Sequence, residues 1–328
     1  MKPAASRGSR PALARLVAPA AGRGDASAAV SASTTVRQIL ARAALRPETG
    51  QIVDFLTPAG EPALVPPDSV AWQVFRNPVS LFVGGITAVL LELAEPRVRS
   101  GVWNHTRFRT DPLNRMERTG LAAMVTVYGA RSTAERMIAG VSRLHERVRG
   151  TTPDGVPYHA SDPELLDWVQ ATASFGFLAA YCAFVRPLDA ARRDRFYAEG
   201  VDAARLYGAT GAPTSVAELE ALFARMRPRL ERSEIVVEFL DILHRTPILP
   251  RALGGLQSML IRAAIDVTPG WTREILELDE PQRGLRPRER RLVAGLGRLA
   301  DRVVVPSSPP AQACRRLGLS PRALRRFA

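Results

Sequence analysis

The chain has 328 residues, a formal net charge of +13 and 46% hydrophobic residues. This length suits one large helical domain or two smaller ones, and the apolar fraction is sufficient for a packed core. Two cysteines argue against a disulfide scaffold and agree with a reducing compartment. Lys2 is the only lysine, so the positive charge is an arginine bias typical of a GC-rich genome. That bias weakens the nucleic-acid interpretation that a high pI invites.

The first 35 residues are rich in Ala, Arg, Ser, Pro and Gly and lack apolar periodicity, which predicts a disordered leader. No apolar region of ~7–15 residues follows the arginines, so we expect no export signal and predict a cytoplasmic protein. The longest apolar run, Val79 to Leu91, is shorter than the ~20 residues that a membrane-spanning helix needs. The sequence therefore predicts no membrane span.

The remainder is predicted to be all-α. Residues 36–280 are expected to form one helical domain, and residues 281–328 a basic helical extension packed on it. Three further helices have a predicted N-cap residue directly before their first turn: Asp162, Asp189 and Ser215. Val-rich runs are short and rarely alternate with polar residues, so no sheet of consequence is expected.

The stretch from residue 111 to residue 150 predicts two consecutive helices. Asp111 can cap the first helix, and Gly129 can end it. Ser132 and Glu135 have the spacing of a capping box at the start of the second helix, which Gly150 can close.

These two helices carry the candidate site. The first has a stripe of small residues with an arginine at its end, at offsets of four, seven and eleven: Arg115, Thr119, Ala122 and Thr126. The second places an imidazole on an apolar face, with His145 in line with Ile138, Val141 and Val148. Together they can hold a flat, metal-bearing cofactor. The alternatives are a hydrogen-bonded core histidine and a simple pairing of Arg115 with a nearby acid.

Several strings in this region resemble a known family. RMERT, VTVYG, HERVRG and PYHASDPELLDWV are similar to the MpaB-type oxygenases, whose bacterial relatives include the latex-clearing protein, a rubber oxygenase. Trp72 and the Gly84-Gly85 pair fit the same pattern, and the resemblance covers about residues 65–280. Such relatives are mostly helical and bind haem b. The resemblance therefore implies a multi-helix single domain with a globin-like haem-binding core.

The resemblance also implies roles for particular residues. It places the proximal iron ligand at His145 and an Arg-x-x-x-Thr pair beside the haem at Arg115 and Thr119. Arg118 falls where one type of rubber oxygenase has a distal lysine, but an arginine stays protonated and is a poor iron ligand. Many relatives carry a His-Pro pair where this chain has Glu95 before a proline. Glu95 thus becomes the candidate distal acid or base, with a surface residue at a helix end as the alternative.

Elementary chemistry supports the same assignments. Haem iron needs at least one strong axial donor, and the neutral imidazole of His145 can supply it. Arginines such as Arg115 and Arg118 offer planar multi-donor contacts to the anionic propionates. Thr119 and Ala122 are small, so a macrocycle can approach the helix backbone. A desolvated carboxylate at Glu95 can have a raised pKa and move protons during oxygen chemistry.

The C-terminal part has its own two interpretations. Residues 284–302 form a basic amphipathic segment, and the final ACRRLGLSPRALRRFA resembles half of a helix-turn-helix unit of the AraC type. DNA contact is the functional interpretation. A basic surface helix packed on the main domain is the simpler one, and we favour it.

Three hypotheses follow from the sequence. The first is a haem b oxygenase, an oxidoreductase in which dioxygen and an apolar organic substrate meet beside Arg115, Thr119 and Glu95, with an unknown electron donor. The second is a non-catalytic haem binder or sensor of the same fold. The third, which the composition disfavours, is a helical DNA-associated protein without a cofactor.

Overall fold

The computed structural model describes residues 53–280 and 283–325, so the predicted leader over residues 1–35 lies outside the described residues. The fold is all-α, as predicted. The helices before a short hairpin are α1 (Val70–Phe75), α2 (Pro78–Ala94), α3 (Pro96–His105), α4 (Pro112–Tyr128) and α5 (Arg131–His145). The hairpin consists of β1 (Arg149–Thr151) and β2 (Pro157–His159).

The second half continues the helical pattern. Its helices are α6 (Pro163–Phe184), α7 (Ala190–Glu199), α8 (Val201–Leu206), α9 (Val216–Met226), α10 (Glu234–Arg245), α11 (Gly254–Val267), α12 (Gly270–Ile275), α13 (Pro287–Arg302) and α14 (Pro309–Arg316). Short 3₁₀ turns cover Arg227–Arg229, Arg251–Leu253 and Pro321–Arg325.

Most helix starts follow from local capping. The Asp111 carboxylate accepts a hydrogen bond from the backbone N–H of Asn114, and the chain leaves α4 at Gly129. Asp162 and Asp189 cap α6 and α7 in the same way. An Asp side chain can satisfy N–H groups that have no partner within the helix, so these positions were predictable from sequence.

Helix α5 departs from the predicted pattern at both ends. Ser132 does not cap it, because its backbone N–H and hydroxyl bind the Glu61 carboxylate at 2.6 Å and 3.0 Å. The helix ends at His145, and Gly150 pairs with Tyr158 in the antiparallel hairpin. Val148 therefore lies outside the helix that carries His145, and the prediction of a continuous helix to Gly150 was wrong.

The centre of the fold is the packing of α2 against α6. A Cβ atom added at Gly84 of α2 would lie 2.7 Å from the carbonyl oxygen of Gly176 in α6, and a Cβ atom added at Gly176 would lie even closer to the carbonyl oxygen of Gly84. The two backbones touch only because neither residue has a side chain. Large rings fill the surrounding core, among them Trp72 and Trp168, which are fully buried.

Among the described residues, no single helix has the length and apolarity to cross a membrane, whereas α2 and α3, bent by 110°, meet those two criteria jointly.

The basic segment near the C-terminus packs on this core. Helix α13 contacts α2, α6 and α11 and buries Val293, Gly297 and Ala300. Asp301 at its end forms a buried ion pair with Arg76 at 3.0 Å. The domain boundary between residues 280 and 281 stays a prediction.

Arg316, in α14, ties three separate parts of the chain together. It is 3% exposed, and its guanidinium donates hydrogen bonds of 2.9 Å to the backbone carbonyls of Glu61, Phe55 and Tyr128. The backbone carbonyl of Arg316 accepts a further bond from Gly60 at 2.7 Å. We call this set the Arg316 clamp. It fixes α14 and the segment before α1 against the end of α4.

Candidate active site

The imidazole of His145 sits at the last residue of α5. Its Nδ1 atom is buried and has no hydrogen-bond partner within the part of the chain that the structure describes. Burial, assisted by the positive charge of Arg115, lowers the pKa of His145 below its ordinary value. The ring is therefore neutral at physiological pH and has a lone pair available for a ligand.

Arg115 approaches this histidine from α4. Its guanidinium donates a hydrogen bond to the hydroxyl of Thr119, which in turn donates to the Arg115 backbone carbonyl at 3.0 Å. Burial lowers the pKa of Arg115, the negative charge of Glu92 raises it, and the neighbouring Arg118 lowers it. Thr119 thus holds the guanidinium against its own helix, and the remaining N–H groups of Arg115 can bind an anion or an oxygen.

Glu92 brings a third element, α2, to the same place. Burial raises the pKa of Glu92 to about 7, against the lowering effect of Arg115. The group is therefore divided between its acid and base forms near neutral pH. The sequence interpretation missed this residue. A signal was present, because Glu92 directly follows the apolar run Val79 to Leu91 and is an acid on an otherwise apolar helix.

Glu95, the predicted distal acid or base, is bonded to the start of α3 and to a neighbouring arginine. Its buried carboxylate accepts a hydrogen bond of 2.8 Å from the backbone N–H of Val98 and pairs with Arg97 at 2.7 Å. It is the N-cap of α3. A catalytic role for Glu95 stays a prediction, and these contacts favour a capping role.

The small-residue stripe of α4 is exposed to solvent at Thr119 and covered by another side chain at Thr126. The side chains of Arg118 and Thr119 are exposed, and Ala122 is half-buried. Further along, the Thr126 hydroxyl lies 3.0 Å from the hydroxyl of Tyr207, which follows α8. A ligand on this stripe would therefore lie over Thr119 and Ala122, next to Arg115.

The exposed part of the site is formed by Arg118 and Thr119, whereas Arg115, Glu92 and His145 are partly buried. Two clefts of about 540 Å³ and 560 Å³ lie elsewhere, one between α7 and α9 and one beside the hairpin. Within residues 53–280 and 283–325, no group of three or more His, Cys, Asp or Glu side chains could hold a metal ion. One histidine with a free ring nitrogen fits a metal that arrives with most of its ligands, as iron does in a porphyrin.

Comparison with known proteins identifies a family that covers most of the chain. Residues 72–302 match the family described as ER-bound oxygenase mpaB/B'/rubber oxygenase, catalytic domain. The chain belongs to this oxygenase family. The match runs from α1 to the end of α13, so it contains Glu92, Arg115 and His145 and passes the predicted boundary at residue 280.

Membership in the MpaB/rubber oxygenase family identifies the chain as an enzyme of the oxygenase class, as the sequence predicted. No curated protein and no solved structure matches it. The all-α fold is confirmed, and the likeness to a globin core stays a prediction.

Proposed function

We propose that this member of the MpaB/rubber oxygenase family is a haem b-dependent oxygenase that acts on an apolar organic substrate with dioxygen. The observation that carries the proposal is the His145 imidazole, whose buried Nδ1 has no partner among the described residues and whose pKa is lowered. A neutral imidazole is a strong axial donor to haem iron. The porphyrin nitrogens provide the equatorial ligands, so a single histidine is sufficient.

The residues around His145 would hold the cofactor in place. Arg115 and Arg118 lie on neighbouring turns of α4, and their guanidinium groups can bind the anionic propionates. Ala122 and Thr119 are small, which permits a planar ring to approach the helix. Bound haem would supply the redox chemistry that activates dioxygen, and an external electron donor belongs to the proposal.

Glu92 is our candidate for proton exchange during the reaction. Its pKa of about 7 lies near the operating pH, where a general acid or base is most effective. The charge of Arg115 acts on both Glu92 and His145. We prefer Glu92 to Glu95 because the Glu95 carboxylate is already bonded to Arg97 and to the start of α3.

Apolar surface beside the site supports an apolar substrate. Leu144, adjacent to His145 in α5, leaves 50% of its surface exposed. Ala123, one turn after Thr119 in α4, is only half-buried. Exposed leucine on a monomer is common, but Leu144 directly precedes the proposed iron ligand in the chain and can offer contact to a hydrocarbon.

The absorption spectrum of the purified protein, reconstituted with haemin, tests the axial assignment. We expect a Soret band that His145→Ala removes or strongly weakens while the helical circular dichroism is retained. His244→Ala is the matched control, because His244 is exposed on α10 and its ring is bonded to the Leu240 carbonyl at 2.8 Å. Full haem retention and an unchanged spectrum in His145→Ala would show that the assignment is wrong.

Oxygen uptake with ascorbate as reductant and squalene as a probe for apolar substrates tests the activity. Uptake that depends on squalene and is lost in His145→Ala supports an oxygenase. A protein that binds haem but consumes no oxygen with such probes would favour the non-catalytic haem binder. A protein that binds no haem would favour the third hypothesis, a helical DNA-associated protein without a cofactor.

A further inference from the structure

The outward face of α13 is unlike a typical solvated helix surface. The helix packs on the core through Val293, Gly297 and Ala300. Residues on the opposite side recur every three or four positions and so form one line along the helix. The exposed members of this outward face are Arg288, Arg291, Leu292, Gly295, Arg298 and Arg302.

The four arginines of this face have no acidic partner among the described residues. In the part of the chain that the structure describes, no carboxylate lies within 4.0 Å of Arg288, Arg291, Arg298 or Arg302. The acidic side chains of α13 point elsewhere: Glu289 pairs with Arg262, and Asp301 pairs with Arg76. A Cβ atom added at Gly295, in the middle of the face, would meet nothing within 4 Å. With respect to residues 53–280 and 283–325, the face is open and carries four positive charges that no carboxylate neutralises.

Leucines lie on the same line as the arginines. Leu292 is 51% exposed, and Leu299 is half-buried seven residues later, two turns further along the helix. A helix side that faces only water has little reason to present leucine between arginines. The line from Arg288 to Arg302 is about 21 Å long at the α-helical rise.

We propose that the outward face of α13 binds the surface of an anionic lipid bilayer. A straight, exposed line of arginines complements a plane of negatively charged headgroups. The arginine side chains can reach the headgroups while Leu292 enters the interface below them. Nucleic acid would also attract the arginines but offers the leucine no apolar contact. The proposal uses none of the residues assigned to the haem, so it stands or falls separately from the proposed function.

Sedimentation of the full chain with vesicles tests the proposal. We compare pure phosphatidylcholine with phosphatidylcholine that contains about one third phosphatidylglycerol. The protein should bind the anionic vesicles and not the neutral ones. Arg291→Gln/Arg298→Gln should lower the partition coefficient by about 30-fold, because each basic residue near such a surface contributes about a fivefold gain.

The matched control is Arg225→Gln/Arg251→Gln. Both arginines are exposed on other elements, and the change in net charge is the same. The control should keep wild-type binding, and circular dichroism should show both double variants folded. Raising the salt from about 0.1 M to about 0.5 M should release the wild-type protein, because the Debye length shortens.

Three results would overturn the proposal. One is equal binding to neutral and anionic vesicles. Another is an equal loss of binding in the two double variants. The third is binding to a DNA duplex of about 20 base pairs, weakened by Arg291→Gln/Arg298→Gln, without binding to anionic vesicles. That last result would assign the face to nucleic acid.

Discussion

Replacing Glu92 with glutamine should stabilise the protein above neutral pH and change little in acid. Burial raises the pKa of the folded-state carboxyl from 4.5 to about 7. Between these two values the unfolded chain releases the proton while the native protein still holds it. The contribution of Glu92 to the free energy of unfolding therefore falls as pH rises from about 4.5 to about 7 and stays low above that range.

The size of the effect follows from the difference between the two pKa values. Each pH unit of difference corresponds to about 1.4 kcal/mol, so ionised Glu92 costs the native state about 3 kcal/mol. Glutamine keeps the shape and polarity of the neutral acid but cannot ionise. The free energy of unfolding of Glu92→Gln should thus exceed that of the wild type by about 3 kcal/mol at about pH 8. At about pH 4.5 the two values should be nearly equal.

Urea unfolding, followed by circular dichroism at both pH values, measures this difference. Glu135→Gln is the control, because Glu135 is an exposed acid of α5 that pairs with Arg131 at 3.5 Å. An exposed pair of this kind contributes at most about 1 kcal/mol, so the control should track the wild type. If Glu92→Gln and the wild type keep the same difference at both pH values, Glu92 is not buried as described, and its role as a proton-exchanging group fails with it.

Three further substitutions test other parts of the structure. Gly176→Ala should lower the free energy of unfolding in urea by more than about 2 kcal/mol, because the added methyl group would meet the Gly84 carbonyl. Its control is Gly85→Ala, whose added methyl group has its nearest neighbour at 3.9 Å. This control should be neutral or stabilising by up to about 1 kcal/mol. Arg316→Met removes the donor to the buried carbonyls of Phe55 and Tyr128 and to the partly buried carbonyl of Glu61, and should lower the free energy of unfolding by more than about 3 kcal/mol. A smaller loss would mean that water replaces the guanidinium. Thr119→Val removes the hydroxyl that holds the neighbouring guanidinium and should slow oxygen uptake about tenfold; unchanged spectra and rates would exclude Thr119 from the site.

Local signals were the part of the fold that sequence could predict. The Asp111 cap acts on a backbone N–H three residues away, so its effect can be recognised in a short window of sequence. The predicted capping box at Ser132 failed because Glu61, 71 residues earlier in the chain, binds the same atoms. The end of α5 at His145 depends on the hairpin that follows, in which the Ala160 N–H binds the Val148 carbonyl.

In the candidate site, too, contacts within one helix could be predicted from the sequence, whereas contacts between helices could not. Arg115 and Thr119 share one helix, and their spacing alone predicts that they meet. The approach of Arg115 to His145 depends on how α4 packs against α5, and the resemblance to a known family supplied that information. Glu92 was missed because its place beside Arg115 depends on the packing of α2, whereas Glu95 drew attention through its position before a proline.

The Arg316 clamp has a practical consequence for anyone who shortens this chain. The family match ends at residue 302 and begins at residue 72. A fragment cut to those limits would keep the Tyr128 carbonyl but discard the guanidinium along with its acceptors at Phe55 and Glu61. The far end of the helix that bears Arg115 would then lose the hydrogen bond from Arg316 to the Tyr128 carbonyl. Recombinant fragments should therefore start before Phe55 and run past Arg316, even though the family match is shorter at both ends.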